Sequence, residues 1–471
     1  ELIIKRGAGM PGESGQQTES APRGLALIGP GLLVAATGVG AGDLATGALT
    51  GSRLGTAVLW AVILGAFIKF VLNEGLARWQ LATDSTVIEG TRRQFGRVAV
   101  MAFLAYLCLW SFFVGAALMS ACGIAAHAIF PLTTDAATNK QIYGIVHSLL
   151  AVALVTYGGY RLFEKAMRIC IGVMFVTVIV AAVAVKPDWG NVFSGLVIPR
   201  IPQLGGDGLK WTVGLMGGVG GTVTILCYGY WIREENRSGL GELRACRLDL
   251  MSGYLVTAIF GICMVILGSR LPVDGGAGGA SLIVALGENL RESIGGGAGT
   301  AAKFAFLAGA WGAIASSMLG VWQSIPYLFA DCWRLVGPDA SLFNRDHDTT
   351  AESDLTKSEL TSPKLERHPI YRGSLFAIAI VPAVGLFQKF ETVQLAYAVV
   401  GAAFMPLLAV VLVALNGRES TIGAKARNSV LTSVFLIAVL VFFAWAGFYD
   451  LSDRIRKSDE PKQQPVPAAV N

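Results

Sequence analysis

The chain has 471 residues, 54% of them hydrophobic and only 15% charged, with a formal net charge of +5 and a mean hydropathy of +0.58. That balance belongs to a polytopic membrane protein and excludes a string of soluble domains. The basic surplus does not mark a nucleic-acid binder, because no Lys/Arg cluster is interleaved with aromatics; the seven cysteines, without CxxC spacing, indicate neither a disulfide framework nor a structural zinc site.

Residues 1–25 are polar and lack the apolar core of a cleaved signal peptide, which predicts a disordered cytoplasmic leader. Apolar segments of spanning length follow near 27–50, 54–77, 98–127, 141–160, 164–186, 211–232, 249–269, 301–333, 371–388, 391–416 and 429–449. They predict an all-α fold of about 11 transmembrane helices.

The first span carries the most informative feature, Gly38-Val-Gly-Ala-Gly-Asp43. A carboxylate at that depth costs several kcal/mol and persists where it faces a partner, a cavity or an ion. Gly38, Gly40 and Gly42 weaken the helix before it, so backbone groups can turn toward a ligand. Asp43 could equally cap the second half of a broken helix, where its charge meets the helix dipole. In the second span Glu74 and Arg78 are four residues apart and are expected to pair near the inner boundary. Lys69 in the same span either snorkels toward that boundary, pairs inside the bundle or takes part in ion coupling. His127 and His147, near opposite ends of the loop joining the third and fourth spans, are expected to be interfacial residues without a proton-carrying role.

The sixth span contains Gly214, Gly217, Gly218, Gly220 and Gly221, followed by Thr222-Val-Thr224. Two glycine-interrupted spans five helices apart are the expected mark of an inverted repeat whose substrate lies between two discontinuous helices. Glycines also allow close helix packing in lipid. At the end of this span Glu234 and Glu235 either form an inner gate with Arg233 or Arg237 or are a solvated helix end. The eighth span is longer than a bilayer needs and either projects or bends at Pro326. Its polar continuation, 336–367, reads as a cytoplasmic linker insert, and 451–471 as a disordered tail.

The segments assigned to the inner side each hold at least three basic residues, such as Arg78, Arg92, Arg93 and Arg97, whereas the outer loops hold one to three. This bias predicts a cytoplasmic N-terminus in the cell (inner) membrane. The domain organisation expected is a first repeat at 26–190, a second at 205–416 and an additional helix at 425–450. No phosphate loop, HExxH or nucleophile triad is present, so neither a nucleotide-driven pump nor an enzyme is indicated.

Gly29-Pro-Gly31 through Gly40-Ala-Gly-Asp-Leu-Ala-Thr46 resembles the opening of the first helix in the Nramp (natural resistance-associated macrophage protein) family of divalent-metal transporters, where a GPG element precedes a DPGN motif. Gly220-Gly-Thr-Val223 resembles the family's GATV before MPH, and Gly158-Gly-Tyr-Arg-Leu-Phe-Glu164 adds support. The resemblance covers roughly spans one to ten. It implies a leucine-transporter-type 5+5 inverted repeat with discontinuous helices 1 and 6 and alternating access. The chain departs from the family at the metal site itself. Gly40 stands at the metal-binding Asp, Asp43 at the Asn, Gly221 at the alanine whose carbonyl contacts metal, Thr224 at the metal-binding Met and Leu226 at the His of MPH. Without sulfur the site loses its main preference for softer transition metals over Mg²⁺ or Ca²⁺.

The expected function is secondary active import of a divalent cation of the Mg or Mn class, with protons or Na⁺ as coupling ion and the lipid bilayer as surroundings. Asp43 is the charged ligand, Thr224 a side-chain ligand and Gly221 a carbonyl donor, with Gly40 at the family's ligand position. Gly38, Gly42 and Gly220 open the helices, and Lys69, Glu74 and Glu234 are the coupling or gate candidates. The alternative is a symporter of a small anion, a carboxylate or bicarbonate, held by backbone N–H groups at a half-helix N-terminus, with Asp43 binding the coupling ion. A sensor or scaffold that has lost transport is a third class, for which the insert and tail offer no recognisable module.

Overall fold

A computed structural model describes residues 29–204, 206–271, 279–337 and 368–459. The expected leader, nearly all of the insert and the end of the tail lie outside the described residues. Among the described residues the chain is helical, with no strand. Eight stretches are long and apolar enough to cross a membrane, or nine if the bent pair Gly172–Ala184 and Trp189–Val197 counts as one span.

The first span is built from α1 (Pro30–Gly38), a π-wound segment (Val39–Thr46) and α2 (Gly47–Leu54). A 3₁₀ turn, Gly55–Val58, leads into α3 (Leu59–Thr83). α4 (Val87–Ile129) opens with a capping box, in which Thr86 accepts from the Glu89 N–H and Glu89 accepts from the Thr86 N–H. α5 (Ala136–Ala184) contains both the fourth and the fifth expected spans. No non-helical residue separates them; Arg161, Lys165 and Arg168, expected in a loop, fall inside this helix. α6 (Trp189–Val197) precedes the sixth span, which is α7 (Gly208–Gly218), an open stretch, a 3₁₀ turn (Val223–Cys227) and α8 (Tyr228–Glu234).

α9 (Leu243–Gly268) is followed by α10 (Gly279–Ile294), a helix the apolar pattern did not announce because it is amphipathic, and by α11 (Gly296–Val336). α11 continues through Pro326. The missing proline donor takes the i+4 partner from Trp322 O, and at the neighbouring carbonyl the Tyr371 hydroxyl donates to Gln323 O at 3.0 Å. α12 (Pro369–Ile380), α13 (Phe390–Ala402), α14 (Phe404–Asn416) and the short α15 (Glu419–Ile422) precede α16 (Val430–Asp459). α16 runs nine residues beyond the expected end at 450. Its exposed Val430, Leu431, Val434, Ile437 and Val441 are the surface a bilayer would cover.

What places the functional residues is the seam between the first span and α9. A Cβ added at Gly31 would run into the Asp249 carbonyl oxygen, one at Gly253 into Gly31 O, one at Gly51 into Val265 O and one at Gly268 into Ala48 O. Small residues on both helices therefore bring the two backbones into contact along their length, the packing that substitutes for a hydrophobic driving force in lipid. At one end of the seam Asp249, fully buried, accepts from Gly29 N at 3.1 Å, Gly31 N at 2.8 Å and the Tyr228 hydroxyl at 3.1 Å, with Arg237 at 3.6 Å. It thus satisfies orphan donors at the start of α1 from a distant helix, a capping role no local motif reveals. Asp249→Ala is expected to lower stability by about 1–3 kcal/mol, since it strands those buried N–H groups and Arg237; a denaturant titration of the purified protein would read it.

Candidate functional site

Both glycine-rich segments leave α geometry, but in different ways. The sixth span opens: the last helical bond of α7 is Val219 N to Leu215 O at 3.0 Å, after which Gly220 and Gly221 take φ values of +75° and +80°. Only glycine enters that region without strain. The first span does not open; it widens into the π turn at Val39–Thr46, which contains Asp43. The expectation of interruption thus holds as an open break in the sixth span and as a local change of winding in the first. π segments of this kind recur at functional sites.

The two segments clasp each other. A Cβ at Gly38 would run into Gly221 N, and one at Gly42 into Gly218 O. Asp43 is fully buried; its Oδ1 accepts from Gly220 N at 3.0 Å, and its Oδ2 has no hydrogen-bond partner. From α3, the fully buried Lys69 donates to Gly217 O at 2.6 Å and to Val219 O, two carbonyls that the end of α7 releases. Lys69 and Asp43 lie within electrostatic reach of each other, yet the ammonium is held by carbonyls and not by the carboxylate.

Three more oxygens without a partner lie around this break: Asn73 Oδ1, Thr224 Oγ1 and Thr257 Oγ1, all on buried residues. Asn73 stands one turn after Lys69 and donates its amide to the Tyr254 hydroxyl at 3.2 Å. Tyr254 and Thr257 flank Gly220, and Thr224 Oγ1 curls back over Gly221. Buried polar atoms are nearly always satisfied, so a cluster of orphans calls for a guest or for water. The set is all oxygen with a single carboxylate, the donor chemistry of a hard cation that keeps part of its hydration. Among the described residues no three His, Cys, Asp or Glu side chains gather to form a carboxylate- or sulfur-rich cage.

The structure thus brings Asp43, Gly38, Gly42, Gly220, Gly221, Thr224 and Lys69 together. It does not bring Gly40, Glu74 or Glu234. Gly40 faces α11, where a Cβ would run into the Ser317 side chain. Glu74 is paired with Arg78 at 3.2 Å and with Arg247 at 2.7 Å, and Glu234 is exposed at the end of α8. The histidines also lie elsewhere: His127 meets Asn139 at 2.9 Å, and His147 bridges Tyr143 O and the Trp311 N–H. Sequence reasoning missed Asn73, Tyr254 and Thr257. Asn73, a polar residue four positions from Lys69 in an apolar run, was the one with a readable signal.

Ion pairs and packing close both ends of the bundle. At the end holding the start of α1, Asp249 is joined by Asp331, which accepts from Thr86 at 2.8 Å, Tyr230 at 2.7 Å and Arg334 at 2.7 Å. At the other end Arg53 pairs with Glu391 and lies 5.0 Å over the Trp211 ring. The site is therefore occluded.

The family model described as "Natural resistance-associated macrophage protein-like" (Nramp) matches residues 31–452. Among curated proteins, the "Divalent metal cation transporter MntH" of Chromohalobacter salexigens is 23% identical over 263 residues, covering 52% of this chain and 57% of that protein. The MntH of Brucella suis is 28% identical over 182 residues, 37% of each chain. The chain thus spans about half or less of the length of the curated relatives it matches. Among solved structures, the Eremococcus coleocola manganese transporter, in complex with an aromatic bis-isothiourea substituted compound, superposes with a TM-score of 0.68 at 17% identity, covering 94% of this chain and 91% of that one. MhsT in complex with L-phenylalanine gives 0.55 at 14% identity, covering 90% and 97%. These likenesses establish the leucine-transporter-type fold that the family resemblance implies.

Proposed function

This chain belongs to the Nramp family, and from that premise we propose that it is a secondary transporter carrying a divalent metal cation of the Mg or Mn class across the membrane. The observation that carries this is the unpartnered Oδ2 of Asp43, buried beside an opened helix, with the orphan oxygens of Asn73, Thr224 and Thr257 around the same break. Asp43 supplies the charge, Thr224 a hydroxyl oxygen, and Gly221 a carbonyl freed by the break. With Thr224 and Leu226 where the resemblance places Met and His, hard oxygen-seeking cations are favoured over softer metals.

Alternating access belongs to the same proposal: release of the Asp249 and Asp331 clusters opens one end, and release of Arg53 from Glu391 opens the other. Basic residues are concentrated toward the Asp249 end, which assigns that end and the N-terminus to the cytoplasm. The direction is import, with protons as the coupling ion. Leu226 stands where the resemblance places the His of MPH, so no imidazole at that position carries a coupling proton.

The anion alternative finds less support. Gly220 N, the backbone donor at the break, is already given to Asp43, and the nearest ammonium is given to carbonyls. Protein reconstituted into liposomes holding a metal-sensitive dye tests the proposal. Mn²⁺ or Mg²⁺ added outside is expected to reach the dye at a saturable rate, and a rate equal to that of empty liposomes for both metals overturns it.

A further inference from the structure

Lys69 is the one group at the break that the transport reading leaves without a task. It is fully buried in the middle of α3, far from any boundary to which it could snorkel. Its ammonium takes Gly217 O and Val219 O, the kind of freed carbonyls that a cation in a discontinuous helix would otherwise coordinate. Because it is covalently tethered, its effective concentration at those carbonyls is far above that of any dissolved ion. With Asp43 alongside, the break is neutral before cargo arrives.

We propose that Lys69 is a tethered cation that fills the carbonyl half of the break and so sets the charge a cargo must bring, admitting divalent and excluding monovalent cations. The inference rests on the metal reading for its biological sense and on the Lys69 geometry for its substance. A monovalent ion offers those carbonyls only the charge they already have, and must expel a ligand that cannot diffuse away. A divalent ion draws twice the net attraction from the carbonyls and Asp43, whereas the cost of moving the ammonium off its carbonyls is the same for either ion, so only the divalent ion offsets it. Lys69 is therefore a specificity-determining residue, acting by competition and not by contact with the cargo.

Two arms test it. In the first, wild type, Lys69→Met and Lys69→Gln are melted in choline, Na⁺, K⁺ or methylammonium chloride at equal ionic strength. Gln keeps an amide donor for the carbonyls if Met does not fold. In the variants the vacated carbonyls are expected to bind small monovalent cations and raise the melting midpoint over that in choline, while wild type responds to none. Variants that are as indifferent as wild type overturn the proposal. In the second arm, manganese uptake by wild type is expected to be the same in Na⁺ and in choline. In Lys69→Gln the half-saturating Mn²⁺ concentration is expected to fall roughly tenfold in choline and to rise again with Na⁺. Wild-type uptake that Na⁺ suppresses competitively also overturns the proposal. Absence of any metal uptake by wild type counts against the transport reading alone, and the melting arm then decides Lys69 by itself.

Discussion

Asp43→Asn is expected to reduce divalent-metal uptake by about two orders of magnitude, corresponding to ~2.7 kcal/mol of lost attraction. The asparagine is nearly isosteric and keeps an oxygen for Gly220 N, so the clasp between the two glycine-rich segments survives. What disappears is the one carboxylate that the described residues bring to the break, and with it the charge that draws a dication out of water toward neutral oxygens. The substitution also leaves the Lys69 ammonium buried without its counter-charge, which is costly in a low-dielectric interior. Asp43→Asn should therefore lower the melting midpoint as well. A second substitution, Lys69→Met, should recover much of that stability without recovering transport. The cycle separates the two roles of the carboxylate, because residues coupled this closely give non-additive effects in stability while transport tracks Asp43 alone. Dye-based uptake and melting curves on the four proteins provide the check. Wild-type rates in Asp43→Asn would remove the carboxylate from the transport cycle.

The parts of this site that were readable in the sequence are those where a residue violates its surroundings. Asp43 is an acid in hydrocarbon, and the five glycines between Gly214 and Gly221 violate helix propensity so strongly that an opening near Gly220 followed. How the first span would respond to its own glycines was not readable. α and π winding differ by one residue in the span of each hydrogen bond and leave the same composition, and the choice depends on how the span sits on α9 and α11. Asn73, Tyr254 and Thr257 become site residues only because α3 and α9 approach the break from either side, information held in tertiary packing. Asp249 was hidden for the same reason, since the donors it satisfies, Gly29 N and Gly31 N, lie more than two hundred positions away. The expected loop at Arg161 to Arg168 failed because a short basic stretch is as compatible with a continuing helix as with a turn when no Gly-Pro punctuation ends it.

The geometry makes the reverse experiment as informative. Gly40 stands where the family resemblance places a metal-binding Asp, so Gly40→Asp looks on sequence like restoration of a lost ligand. It is expected instead to abolish folding or to cut the monodisperse yield severely. A Cβ at Gly40 would collide with the Ser317 side chain, 2.9 Å from its Oγ and 3.1 Å from Ile314 Cα; Ser317 is itself buried and donates to Thr37 O. Overpacking costs about 1–3 kcal/mol, and an unpartnered carboxylate against α11 adds several kcal/mol more. Ser317→Gly introduced together with Gly40→Asp should recover part of the yield, since it removes the steric conflict and leaves the charge. Size-exclusion profiles of the single and double variants test this. A Gly40→Asp protein that is monodisperse and as stable as the parent would mean that the first span sits on α11 differently from the arrangement described. Gly38 and Gly42, four residues apart, face the break at Gly221 and Gly218, while Gly40 between them faces α11. On a span held in that rotation a carboxylate at position 40 meets packed helix. One at position 43 meets Gly220 N, so the shift of the acid by three residues follows from the way this span is seated.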